Sequence, residues 1–565
     1  MRITDKPYLD FSGGIRRDKS PYLLRDNEIQ SGRNFEIDEQ GRIKKRRGSY
    51  QFGQNIAGLP INIHHDPNGM FVSNDAASPA VVYKLASGTL TTALTTGSTS
   101  VVTSTSTFDT SGTVEIEGDL IAYTGESSTT LTGATGINSA HAVGVSINQW
   151  QTVGTMSSSD SNDGAWFAYL NGITFFLFNN DSANSTNLWQ YDGSSATAIS
   201  GEPGGARFLE VFRDRLFTVG NGASGLPLNR VFFSNLGDGT SWPSTVADNS
   251  FDLEDQTGEP IVNLKQYKQN LVIFKPSSMY LFTGSLPVRQ FSNDYGIHND
   301  KCIQEVNGLL YGVGPNGVFV SNGVSVQRID APVLEYYQDF KFGRLSSTSA
   351  IQNLFTGKWE NKFIIYIGDT TTVETLSDVM LIYDTVTKKW EVWNGWTSMT
   401  MLGHSHRFNT DNRTQQRKSL FWGASTKIYR AFEDRHTEID TGGGLGATRG
   451  SDIYSDLFSD TGTPVTFNIV TKPYDLGYPN YRKQLGYLKV FSELPGIHLS
   501  YRIDNGDTKP LGLVDKKIKR FKFPSDARGT RCEIILDESS TTQSTIYNGH
   551  IFEDCSIIDK NAEQR

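Results

Sequence analysis

Apolar and polar positions alternate with a period of two over most of the chain, in runs of strand length punctuated by Gly, Asn, Asp and Ser. Trp166–Leu170 leads through Asn171-Gly172 into Ile173–Phe178, and Leu188–Tyr191 follows. The same order of strand, tight turn, second strand and aromatic-bearing outer strand recurs. It is seen in Phe208–Gly220 with Arg230–Ser234, in Leu264–Phe274 with Ser278–Gly284, and in Cys302–Val313 with Gly317–Gly323. Trp359–Ile367 with Met380–Asp384 and Lys389–Trp393, then Ser419–Gly423 with Lys427–Phe432, complete the series. A unit repeating roughly every 35–50 residues suits the blades of a β-propeller. With Ile61–Tyr83 and Val145–Thr155 as a further blade, the pattern predicts about six or seven blades over residues 55–85 and 149–440. A run of irregular sandwiches is the alternative architecture.

Helical periodicity is nearly absent. Pro332–Lys341 puts Val333, Tyr336, Tyr337 and Phe340 on one side and is a candidate helix. Asp26–Ser31, stopped by Gly32, is a shorter one. The predicted fold class is mainly β.

Three segments flank or interrupt the propeller. Residues 1–54 read as an N-terminal arm with a hairpin, in which Phe35, Ile37 and Ile43 flank a Gln40-Gly41 turn. Residues 86–148 are rich in Thr, Ser and Gly and read as a small inserted β-barrel or sandwich. The strands on either side, Val81–Leu85 and Val145–Trp150, form the hairpin into which it is placed. Thr441–Gly450 begins a flexible linker over 441–463, and the alternating strands of 464–565 predict an antiparallel C-terminal β-sandwich.

Composition narrows the function classes. The 565 residues carry 52 Lys and Arg against 61 Asp and Glu, a net charge of −9, which argues against tight non-specific nucleic-acid binding. The 32 Phe, 23 Tyr and 9 Trp exclude wholesale disorder, and three cysteines exclude a disulfide scaffold. No run approaches the roughly 18 apolar residues of a membrane helix. The start, Met1–Lys6, has no apolar signal region, so the expected site of synthesis is the cytoplasm. Charge is unevenly spread: the insert holds Asp109, Glu115, Glu117, Asp119 and Glu126 with neither Lys nor Arg. Conversely, Arg42, Lys44, Lys45, Arg46 and Arg47 form a basic cluster on the N-terminal hairpin. That cluster is the candidate contact for DNA or an acidic partner; a solvated hairpin arm is the other reading.

Catalytic signatures are missing. His404 and His406 share a strand face as half of a metal site would, without a third ligand, and His64-His65 point to opposite faces. Asp160–Gly164 and Asp504–Asp507 resemble Ca²⁺ loops but lack the distal Glu, so Asx turns explain them. Asp252, Glu254 and Asp255 are the densest carboxylate cluster, yet glycoside hydrolysis needs two carboxyls at a set separation across a cleft. There is no G-x-S-x-G elbow, Walker loop or H-E-x-x-H, and the glycines of 442–446 are not followed by Lys-Ser/Thr. The expectation is a protein that is not an enzyme, with no cofactor and no metal.

The order of motifs carries more information than any one of them. It runs from Asn34-Phe35 and Gly41–Gly48 to Phe212–Phe217, Ser234–Trp242 and Leu271–Gly284. It continues through Gly317–Gly323, Ile382–Asp384 with Lys389-Trp390, and Tyr474–Gly477 before Tyr481–Val490. In that order, over most of the chain, the sequence resembles the bacteriophage tail nozzle proteins, also called tail tubular protein B or packaged-DNA stabilisation proteins. The insert, with Gly112–Gly118 and Ile121–Gly125, resembles small β modules of phage structural proteins. The resemblance implies a virion protein: a homohexameric ring, or hub, at the distal end of a short viral tail. It implies retention of packaged DNA, conduction of it during ejection, and contact with itself, a tail adaptor near the portal and tail fibres. Contact with passing genomic DNA would be transient. The acidic insert departs from the family. A host-receptor-binding adhesin, or a glycan-binding depolymerase that uses propeller loops, Trp393 and Trp396, or residues 86–148, is the competing reading.

Overall fold

A computed structural model describes residues 1–75, 80–155, 164–178, 188–201, 203, 205–220, 227–242, 249–253, 258–338, 354–370, 376–405, 419–431, 459–460, 463–494, 496–538 and 546–559. Among these residues, seven antiparallel blades form a β-propeller. Blade 1 is Leu59–Asp66, Gly69–Asp75, Val81–Thr89 and Ser146–Thr155; blades 2 to 6 begin at Ala165–Leu170, Ala206–Phe212, Asn263–Tyr267, Ile303–Val306 and Phe355–Trp359. Blade 7 begins at Met399–Ser405, whose neighbour across the ring is the first strand of blade 1. The turns are made as the sequence suggests, with Asn171, Arg213, Asp214, Lys268, Asn307 and Glu360 all at positive φ.

Blade 7 has only three strands of its own, Met399–Ser405, Ser419–Ala424 and Lys427–Ala431. Its fourth is Ser49–Gln51, which arrives from before blade 1 and lies antiparallel to Lys427–Ala431, with Tyr50 opposite Arg430. First and last parts of the propeller chain are thereby sewn together, and an otherwise open strand edge is covered. Ser459–Asp460 adds on the outer side, with Asp460 opposite Ser49, so the end of the expected linker belongs to this blade. Gly53 follows at φ 77, where a side chain would collide with the Trp150 indole.

The N-terminal arm is not a domain of its own, which corrects the expected boundary at residue 54. Its strands enter both sheets of the C-terminal sandwich. Phe35–Ile37 and Ile43–Lys45 extend the sheet containing Ile546–Glu553, Tyr487–Leu494 and Ile518–Lys522. Gly14–Ile15 and Glu28–Arg33 extend the sheet of Phe467–Thr471, Cys532–Glu538, Ile497–Ile503 and Lys509–Val514. The apolar side chains Ile15, Ile29, Phe35, Ile37 and Ile43 are fully or almost fully buried in one cluster with Leu488, Leu499 and Tyr547. A short hairpin cannot bury such a face alone, so it takes its partner from the other end of the chain. The Asp26–Ser31 helix is also corrected. Glu28–Arg33 is a strand, and Gly32 is required because a β-carbon there would lie 2.8 Å from the Asn468 carbonyl oxygen. The second predicted helix is shortened to a 3₁₀ turn at Ala331–Val333 and Leu334–Gln338, with 339–353 outside the described residues.

The insert lies between the two outer strands of blade 1, which pair with Leu85 opposite Trp150. Its own core holds Val101, Val114, Ile116, Ile121, Leu131 and Ile147. Glu115 opposite Asn148 continues the blade sheet directly into the insert.

Propeller and sandwich meet at the outer strand of blade 6, Lys389–Trp393. The Trp393 indole donates to the Phe35 carbonyl at 2.9 Å, and Glu391 accepts from the Ile37 amide at 2.9 Å while holding Lys362 at 2.6 Å. At the centre of the junction stands Arg46, whose side chain has no exposed area. It donates to Asn34 Oδ1 (2.8 Å), to the Arg47 and Asn394 carbonyls (3.0 and 2.6 Å) and to Asp460 Oδ2 (2.5 Å). Asp460 also accepts from Ser49 Oγ and the Trp396 indole. Breaking a buried ion pair by removing one partner costs about 3–5 kcal/mol, whereas replacing both partners is nearly neutral. Arg46→Met is therefore expected to lower the unfolding free energy by about that amount. Arg46→Met with Asp460→Leu is expected to regain only part of it, because Ser49 Oγ and the Trp396 indole then lose their acceptor, as read by denaturant titration. Equal losses in the single and double variants would contradict the assignment.

Candidate functional site

The first strands of the seven blades surround an axial cavity of about 320 Å³. Every such strand has an open edge whose backbone carbonyls need donors. Side chains from the adjacent blade supply them. Asn62 Nδ2 donates to the Ala165 carbonyl (3.0 Å), Asn263 Nδ2 to Asp300 (2.5 Å), and Gln304 Nε2 to Thr356 (3.1 Å). Lys358 Nζ donates to Glu305 (3.0 Å) and Thr400 Oγ1 to Pro60 (2.7 Å). These polar residues are seams between blades.

Titratable groups face this space. His64 stacks on Phe167 with a 2° angle between the rings and has Asp66 Oδ2 at 3.3 Å from Nε2. Burial lowers the pKa of neighbouring His65. Burial raises the carboxyl of Glu210 more than Lys265 and the Gln266 amide lower it. Among the described residues no three His, Cys, Asp or Glu side chains gather to hold a metal ion. His404 lines the cavity, and His406 lies outside the described residues.

The basic hairpin, the one contact site expected from sequence, is corrected in part. Lys45 is buried against Glu538 at 2.5 Å inside the sandwich, and Arg46 is buried in the junction, so neither faces a partner. Both sit where the strand edge meets another layer, and a cation in such a place is retained only with an anion beside it. Arg42 is held by Asp38 (2.7 Å) and Glu493, and Lys44 has Asp38 at 3.3 Å. Arg47 is exposed.

The insert's acidity is spent in the same way. Glu115 is buried and accepts from Asn148 Nδ2 at 2.9 Å and from the Gly118 amide at 2.6 Å. Buried His141 stands between Glu117 (2.9 Å from Nδ1) and Asp119 (3.0 Å from Nε2). Ionised carboxylates only accept, so both ring nitrogens must carry protons. Burial opposes that charge, but the two carboxylates outweigh it and raise the pKa above its usual 6.5.

Other candidates resolve into structure. Asp252 pairs with Arg230 at 2.6 Å, while Glu254 and Asp255 lie outside the described residues. Asp504 caps a turn by accepting from the Thr530 and Arg531 amides. Asp160–Asp163 and 442–446 also lie outside the described residues. Trp393 and Trp396 are fully buried, which removes them as sugar-stacking surfaces. What the sequence reading missed is the inter-blade polar seam. Its donors sit in first strands that carry other polar residues as well, Asn263-Leu-Lys-Gln-Tyr267 and Ile303-Gln-Glu-Val306 among them, so no local pattern sets them apart.

Neither a protein-family model nor a curated protein matches the sequence. Among solved structures, the chain is similar to the WD40 domain of Neurospora crassa Pan2, with TM-score 0.34 and 8% identity over 67% of this chain and 90% of that one. It is similar to the β-propeller domain of the Trilobed protease from Pyrococcus furiosus, with TM-score 0.27 and 11% identity over 67% and 98%. An exo-beta-1,3-galactanase from Phanerochaete chrysosporium gives TM-score 0.23 and 9% identity over 68% and 95%. The chain is a mainly β protein with a β-propeller, as its sheet topology shows.

Two pH effects follow. His141, with its pKa raised on folding, stabilises the insert fully below pH 6.5, and the contribution is lost as pH rises through the folded value. His141→Asn should therefore speed amide exchange across 90–147 strongly at pH 5.5 and weakly at pH 9, with a difference of about 1.5–3 kcal/mol. Glu210, with its pKa also raised, lowers stability as pH climbs above its unfolded value near 4.5. Glu210→Gln should raise the Tm at pH 7, with the gain vanishing below about pH 4, the acid side of a free Glu pKa of about 4.3.

Proposed function

We propose that this chain is a non-catalytic structural protein of a virion: the nozzle or hub ring that closes a short phage tail, retains packaged DNA and conducts it during ejection. The observation that carries this reading is that the segments shared with the tail nozzle family are scaffold. Phe212–Phe217 wraps a tight turn with Arg213 and Asp214 at positive φ. Ser234–Trp242 is a loop closed on itself by Asn235, Ser241 and Asp238. Leu271–Phe274, Met279–Phe282 and Gly317–Ser321 lie in second and third strands of their blades. Tyr474 packs its ring 4.0 Å from Tyr8 where the chain's two ends meet. A match built on such positions supports a shared architecture and a mechanical role.

The axial cavity adds a constraint on how such a protein would work. Cross-blade hydrogen bonds tie neighbouring first strands together around it, and its volume of about 320 Å³ is far below what a duplex fills. The major groove alone is about 12 Å wide. The passage for DNA in this reading lies between copies of the chain, in a ring closed by heterologous contacts. Native mass spectrometry of the purified protein with its tail adaptor is expected to give a closed ring, six copies favoured. A strictly monomeric protein at high concentration that does not bind the adaptor would overturn the proposal.

A further inference from the structure

Arg42, Lys44, Lys45 and Arg46 of the N-terminal hairpin are held by carboxylates, and a second group of cations lies elsewhere. Ile518–Lys522 is the edge strand of one sandwich sheet and pairs with Tyr487–Leu494. Ile518, Arg520 and Lys522 alternate outward and are exposed, while Phe521 points into the core. Opposite them on the same face stand Phe491, Lys489 and Tyr487. Lys516 and Lys517, both exposed, sit in the turn leading into the strand. Arg520 is shared between Glu553 (2.7 Å) and Asp554 (2.8 Å). Lys489, Lys516, Lys517 and Lys522 make no ion pair among the described residues.

Two features separate this face from an ordinary solvated edge. Arg520 lies directly opposite Lys489 in the register, and while Glu553 and Asp554 offset the charge of Arg520, Lys489 beside it has no carboxylate of its own among the described residues. The face also interleaves aromatics with cations: the Arg520 guanidinium lies 3.7 Å from the Tyr487 ring centroid and Lys489 Nζ 5.4 Å from that of Phe491. Because these rings are already covered by cations, the face offers charge and guanidinium planes more than bare stacking surfaces. Side chains two apart on a strand stand about 6.8 Å apart, from a rise of about 3.4 Å per residue, so the charges form a row rather than a cluster.

We infer that this outer face, centred on Lys489, Lys516, Lys517 and Lys522, binds the phosphate backbone of nucleic acid without sequence preference. The inference deepens the tail reading, on which its biological meaning rests. Four neutralised phosphates give a weak, strongly salt-dependent hold, with a slope of log K against log salt of about −3.6. A hold of that kind retains a duplex at rest and releases it under load.

The test is fluorescence anisotropy of the full chain with a random-sequence 20-base-pair duplex, as salt is raised from about 50 mM, the low-salt end of such titrations. Lys489→Gln, Lys516→Gln, Lys517→Gln and Lys522→Gln combined are expected to weaken binding at least tenfold at low salt and to remove about 3.6 units of slope. The pair Lys516→Gln and Lys517→Gln, which touches only the turn, is expected to remove about two. A control removes the same number of charges from the propeller, at the exposed Arg213, Lys268, Arg289 and Lys388. The control is expected to bind as the parent does. No binding at low salt, an equal loss in the control, or stronger binding of poly-glutamate than of DNA would each overturn the inference. The last would point to an acidic protein. Ring formation is read separately by mass, so a ring without DNA binding refutes this inference alone.

Discussion

A guanidinium shut away from solvent has to be satisfied completely, and the path of the chain around Arg46 follows from that requirement. Its hydrogen bonds go to Asn34 and Arg47 in the N-terminal segment, to Asn394 after blade 6, and to Asp460 on the strand that returns from the propeller. Leaving any of them unmade exposes several kcal/mol of desolvation, the effective penalty for a buried ion. The three segments are therefore stable only together. The same Asp460 is held by Ser49, the first residue of the strand that closes blade 7. Ring closure and sandwich docking thus share one buried ion pair.

Edges explain much of the rest. A propeller leaves inner strand edges on its axis and one incomplete blade where the chain begins and ends. The inner edges are capped by polar side chains from the next blade, and the incomplete blade by Ser49–Gln51. The sandwich solves its edges differently. One sheet recruits Gly14–Ile15 and Glu28–Arg33, and the other ends in the lysine-rich strand Ile518–Lys522. Charge on such an edge discourages pairing with another sheet, and it is also the surface on which a polyanion is most easily held.

Local patterns were legible in the sequence, and distant pairings were not. Ile173–Phe178 and Ile497–Ile503 have the bounds their alternation suggests, and the hairpin holding the insert is where Val81–Leu85 and Val145–Trp150 place it. Asn-Gly and similar turns fixed those positions because their chemistry is contained in two residues. The fate of the N-terminal arm depended on strands more than 500 residues away, such as Ile546–Glu553, which no local pattern encodes. Charge was misread for the same reason. Lys45, Arg46, Glu115 and Glu117 read as surface runs, yet their partners Glu538, Asp460, Asn148 and His141 come from other elements. Lys516, Lys517 and Lys522, which make no ion pair among the described residues, lay in what read as an ordinary strand and its leading turn.

The central claim is that the N-terminal segment closes the propeller and ties it to the sandwich through Arg46 and Asp460. Native-state hydrogen exchange at Tyr50, Gln51 and the strand Lys427–Ala431 tests it most directly. The account predicts that these amides are protected to the same free energy as Phe35–Ile37 in the sandwich, and that Asp460→Asn lowers protection in both places together. Rapid exchange at Tyr50 and Gln51 while the sandwich stays protected would contradict it.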